Sequence, residues 1–208
     1  MNRRRTALAV TAALLAAAPV LTACGSTAHP GAAAVVGDER ISVAQLQRQV
    51  ADVRDAQQSS PQAEQLVAGS ARLSQDTLVR LIQYRIVEQA GRDNGITVSR
   101  RELQDQRAAV ERANGGAEAV RGRFLALGIA PDQIDRALAM QLTRAKLDAR
   151  FGAVRTNEIL VRTSESLHVD VNPRYGVWDP RRGTAQAAVE PWLRPSAPGP
   201  AAALDGPA

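Results

Sequence analysis

The chain has 208 residues, 45% of them apolar and only 3% aromatic, with 26 Lys and Arg against 21 Asp and Glu. That length suits one domain, or one domain with tails. A single cysteine excludes an intrachain disulfide framework and a cysteine-clustered zinc site, and two histidines, His29 and His168, leave little for imidazole catalysis.

Arg3, Arg4 and Arg5 form a basic n-region ahead of an uncharged apolar run of about a dozen residues, 7–18. That is the length of a signal h-region and too short for a bilayer core of roughly 30 Å, so it reads as an export signal rather than an anchor. Removing it lowers the net charge from +5 to about +2. The remaining basicity comes from arginine, Lys146 being the only lysine, and guanidinium groups stay charged to very high pH. The high pI is then no argument for nucleic acid as a partner. The apolar run ends in Leu21-Thr22-Ala23-Cys24, which resembles the bacterial lipobox. The resemblance implies that lipoprotein-processing enzymes diacylate Cys24 and remove residues 1–23 as a signal peptide. Two or more acyl chains supply stable anchoring at about 0.8 kcal/mol per buried CH₂, which places the chain on the outer face of a bacterial cytoplasmic membrane, held to membrane lipid through Cys24. Residues 24–34 then read as a tether of Gly, Ser, Thr, Ala, Pro and His, without charge or a large apolar side chain, reaching roughly 30 Å if extended. His29 is a spacer residue in it.

The folded part is expected over 35–179. Val35-Val36 reads as a short strand, Gly37-Asp38-Glu39-Arg40 as a turn, and Ser42-Val43-Ala44-Gln45 fits a capping box, so a helix begins at Val43. Val43, Leu46, Val50 and Val53 recur on one face, and Gln57-Gln58-Ser59-Ser60-Pro61 interrupts the helix. A second helix, 74–90, carries Leu78, Val79, Leu81, Ile82, Ile86 and Ala90 over half its circumference, the breadth of a central bundle helix. Asp93-Asn94-Gly95 closes it. Ser99-Arg100-Arg101-Glu102 is another capping box, opening a helix over 100–113 whose only large apolar residues are Leu103 and Val110; it belongs on the surface.

Gly115-Gly116 breaks the chain, and Val120, Phe124 and Leu127 define a short amphipathic helix ending at Gly128. Pro131 suits a helix N1, and Ile134, Leu138, Leu142 and Ala145 mark one face of a helix over 131–150. A short helix is expected over 157–167. Val169-Asp170-Val171 alternates as a strand would, and Tyr175-Gly176-Val177-Trp178 reads as a second extended piece. Val35-Val36 is expected to pair with residues 169–171, because neither strand has another evident partner for its backbone groups. From residue 180 to 208 the composition turns to Pro, Ala, Gly and Arg, and an irregular or disordered tail is expected. The fold class is thus mostly α, a helical bundle with a small two-stranded β element joining the two ends of the folded region.

In that order, Val36-Gly37-Asp38-Glu39-Arg40-Ile41-Ser42, Leu81-Ile82, Asn94-Gly95-Ile96-Thr97-Val98-Ser99 and Leu127-Gly128-Ile129 resemble the N-terminal chaperone domain of the SurA and trigger-factor-like periplasmic foldases, and the closing Val171 to Asp179 stretch resembles the segment that ends those proteins. Family members often carry a parvulin-type prolyl isomerase domain of about a hundred residues before the closing strand. Here only residues 152–168 fill that interval, so the resemblance implies a chaperone without isomerase chemistry. No HExxH, Walker-type loop, GxGxxG or GxSxG occurs. Asp132 and Asp135 lie in the first turns of a helix, where a carboxylate favours the positive end of the dipole. No catalytic residue, cofactor or metal site is expected.

Met140, Leu147 and Phe151 recur at 0, 7 and 11 on the face of the 131–150 helix opposite Ile134, Leu138 and Leu142. Two accounts stand open: this face packs on the C-terminal piece with Tyr175 and Trp178, or it lines a groove for apolar client segments, with Met supplying an adaptable surface. The functional expectation is a holdase for unfolded secreted polypeptides. The alternative is a structural or adaptor lipoprotein with one specific envelope partner, and an enzyme comes third.

Overall fold

The structure, a computed structural model, describes residues 31–186, and 67% of these are helical. The signal, Cys24 and most of the tether, and residues 187–208 of the tail, lie outside the described residues. β1 (Ala32–Val36) and β2 (Glu39–Ser42) form an antiparallel hairpin around Gly37-Asp38, with Gly37 at φ +59°. β1 also pairs with β3 (Asp170–Val171), Ala34 facing Val171 and Val35 facing Asp170, so the ends of the folded region meet as expected. The joining sheet has three strands, in the order β2-β1-β3, because Glu39 and Arg40, read as turn, continue into a strand. β1 also begins inside the stretch read as tether. Ala32, Ala33 and Ala34 are each at most 6% exposed; alanine gives little hydrophobic signal, yet its small side chain lets a strand sit against the core.

α1 (Val43–Gln58) starts where the cap predicts: the Ser42 hydroxyl accepts from the Gln45 amide at 3.0 Å. Leu46 and Val53 are buried and Val43 and Val50 half-buried. α2 (Ala63–Ala68) has no buried residue and was not signalled by any apolar period. α3 (Leu73–Asp93) is the central helix expected, with ten buried residues and α1, α6 and α7 packed around it. α4 (Arg100–Ala113) buries none, as expected, and both arms of its capping box form.

α5 (Ala117–Ala126) corrects one residue. Val120 and Phe124 are buried, but Leu127 is 66% exposed and Leu125 takes its place. The helix ends at Ala126 and Gly128 turns the chain at φ +69°, so Leu127 leaves the helical phase. The Arg80 guanidinium donates to the Leu127 and Gly128 carbonyls, at 2.6 Å each, satisfying that terminus.

A 3-10 turn at Pro131–Gln133 opens α6 (Ile134–Phe151), and Gly152 at φ +80° separates it from α7 (Ala153–Ser166). Ile134 and Leu138 are fully buried, whereas Ala145 is exposed and Leu147 fully buried, so the buried face of α6 rotates towards its C-terminal end. After β3, a 3-10 turn at Pro173–Tyr175 leads to β4 (Val177–Asp179), paired antiparallel with β5 (Thr184–Gln186). β5 lies in the stretch expected to be irregular. Its order comes from long-range polar contacts: Gln75 Nε2 donates to the Tyr175 and Ala185 carbonyls at 3.2 and 3.3 Å, and Gln83 Nε2 to that of Gly183 at 2.8 Å. Gly176, at φ +115°, makes the close approach possible, since a Cβ there would lie 2.2 Å from the Gln186 carbonyl oxygen.

Candidate functional site

α3, α6, α7 and the β4–β5 hairpin enclose an open cavity of about 420 Å³. Helical spacing builds it. Ile86 and Val87 of α3 form a buried floor, Met140 stands one turn from Arg144 on α6, and Leu160 stands one turn from Ser164 on α7. Val161 and Trp178 complete the apolar lining, and Trp178 is fixed by donation from Nε1 to the Ser164 hydroxyl at 2.8 Å. The rim is cationic, formed by Arg144, Arg181 and Arg182. Arg144 donates to Asn157 Oδ1 at 2.6 Å, and Arg182 lies 3.6 Å from Asp179. An apolar floor under guanidinium groups suits burial of apolar side chains carried on a chain with some negative charge.

Met140 also lines a second groove of about 450 Å³, beside Tyr84, Arg92 and Arg136, and so forms the ridge between two depressions. There the Arg136 guanidinium stacks 4.8 Å from the centroid of the Tyr84 ring. Burial raises the Tyr84 hydroxyl above its ordinary pKa and lowers Arg136, which neighbouring Arg85 lowers further.

Of the three client-binding candidates, the structure brings one to the cavity. Met140 is half-buried in its lining. Leu147 is 0% exposed and closed to any client, on a helix packed against α3, α4 and α7. Phe151 is half-buried at the end of α6, with the Arg150 guanidinium 5.2 Å from its ring centroid, and is absent from the lining. The second apolar face of α6 therefore divides: Leu147 packs, while Met140 and Trp178 both touch the main core and border open space. Leu160 and Val161 escaped the sequence reading, since α7 was expected only as a short helix without an assigned face. Ile86 belongs to the apolar stripe of α3 and Val87 falls beyond it, and neither position by itself distinguishes a packed face from a cavity floor.

Among the described residues, no three His, Cys, Asp or Glu side chains cluster as a metal site, and no helix is long and apolar enough to cross a membrane. The family model for the SurA-like N-terminal domain matches residues 1–148. The chain belongs to the SurA-like N-terminal domain family. The family is chaperone-like and periplasmic, and its domains bind unfolded polypeptides. No curated protein and no solved structure matches the chain. The match to the SurA-like family ends within α6, so α3, Met140 and Arg144 fall inside the matched span while α7 and the hairpin lie beyond it.

Proposed function

We propose that this SurA-like protein is a membrane-anchored, extracytoplasmic holdase that binds unfolded exported polypeptides without isomerase chemistry. The observation that carries the reading is the open cavity with an apolar floor around Met140 and Trp178 in a domain of this family. An unfolded chain offers apolar side chains separated by backbone, and such a cavity takes one or two at a time, reversibly and without covalent chemistry. The thioether of Met140 adapts to side chains of different shape, which suits unrelated clients. Between Phe151 and β3 the chain forms the single 14-residue helix α7, an interval that does not hold a parvulin domain. The n-region, the h-region and Leu21-Thr22-Ala23-Cys24 support anchoring through Cys24.

A holdase suppresses aggregation of several unrelated denatured proteins at stoichiometric ratios, whereas an adaptor suppresses none and co-purifies with one partner. Aggregation assays with three chemically unfolded proteins distinguish the two, and suppression of none of them defeats the holdase reading. Labelled palmitate incorporated by the natural chain and lost in Cys24→Ala tests the anchor.

A further inference from the structure

We propose that the chain's own C-terminal segment, through Trp192 and Leu193, occupies the cavity between α3, α6, α7 and the hairpin when no client is bound, and that clients displace it. The proposal rests on the cavity being the client site.

Three observations converge on this occupant. The first is reach. β5 ends at Gln186, paired with Val177, and the neighbouring Ala185 carbonyl is held by Gln75. Along α3, Gln75 precedes Gln83 and Val87 at the cavity by eight and twelve residues, about 12 and 18 Å of helix. The six residues from 187 to Trp192 span up to about 20 Å when extended, so the chain leaves the hairpin within range of the floor.

The second is the chemistry of the segment. Trp192 and Leu193 are adjacent large apolar side chains in a stretch otherwise dominated by Ala, Pro and Gly. Pro191 precedes them and Pro195 follows shortly after, and each proline fixes one φ angle, which lowers the entropy lost on docking. The third is charge. Glu190 stands two residues before Trp192, while the cavity rim carries Arg144, Arg181 and Arg182. Among the described residues, the guanidinium groups of Arg144 and Arg181 form no ion pair with a carboxylate, Arg144 donating instead to Asn157. A bound segment would set the Glu190 carboxylate against that rim and its indole on the apolar floor, with Arg194, on the other side of Trp192 and Leu193, directed away from the rim.

The test uses the full mature chain and its W192A/L193A variant, with two probes: a labelled peptide of residues 187–196, and a permanently reduced, carboxymethylated unfolded protein. Freeing the cavity should let the variant bind the peptide at least tenfold more tightly than the natural chain, and the unfolded protein at least fivefold more tightly. Glu190→Arg should give a smaller gain in the same direction, and R181E/R182E combined with it should restore natural-chain behaviour. Equal peptide binding by both chains, or binding by neither, overturns the proposal. Binding of unfolded protein equally by both, with no peptide bound, overturns it while sparing the holdase reading. Tight peptide binding to the variant with no unfolded protein bound by either chain keeps the occupant and defeats the holdase reading. Dimerisation that vanishes with W192A/L193A would place the segment in a second copy's cavity and overturn occupancy within one chain.

Discussion

Leu147 and Met140 lie seven residues apart on α6, yet the first is fully buried and the second stands at a cavity. Truncating a fully buried leucine removes its transfer energy and leaves a void, so Leu147→Ala should cost about 2–5 kcal/mol in thermal or denaturant unfolding. Met140→Ser removes a half-exposed side chain and should shift Tm by no more than about 4 °C, while weakening client binding. Glu102 offers a pH test. Hydrogen bonding from Lys146, followed by the Ser99 backbone and hydroxyl, holds its carboxyl at about 2, down from an ordinary 4.5. A depressed acid pKa stabilises the fold above the unfolded value, and the contribution is lost as pH falls from about 4.5 towards 2. Glu102→Gln should therefore flatten the decline of Tm across that window and leave little change in its shape near neutrality. Lys146 also donates to the Thr97 carbonyl at 2.7 Å, so the only lysine joins α6 to the entry of α4, a role that composition alone did not reveal.

At the scale of elements, legibility followed the range of the forces. α1 and α4 began where Ser42 and Ser99 foretold, because a cap is decided within four residues. α2 and β5 were invisible for the opposite reason: neither carries an apolar period, and β5 is held by glutamines a hundred residues earlier in the chain. Leu127 misled because the period continued one residue past the point where Gly128 ends the helix. The glutamine anchors can be checked directly. Replacing Gln75 and Gln83 together by Ala should speed amide exchange across 177–186 at least tenfold while leaving α3 protected, because these two side chains fasten the hairpin's carbonyls to α3. Unchanged exchange there would show that Trp178 packing alone suffices.

For the whole molecule, the meeting of the two ends of the folded region in the β2-β1-β3 sheet was readable from two short valine-rich strands lacking partners. The cavity was not, since its sides come from α3, the α6–α7 pair and the β4–β5 hairpin, and of the three expected client-facing residues, Met140, Leu147 and Phe151, only Met140 belongs to its lining. Leu147 failed as a groove residue because a helical wheel shows which side chains share a face, while neighbouring helices decide how much of that face stays open. On the proposed holdase reading, unfolded chains enter beside Met140 and Val161. A photo-reactive p-benzoyl-phenylalanine placed at 140 or 161, with a control at Val154, which is 77% exposed and outside the lining, tests it directly. Irradiation with an unfolded client should give adducts from positions 140 and 161 and none above background from 154; equal labelling from all three, or labelling from 154 alone, would contradict the claim.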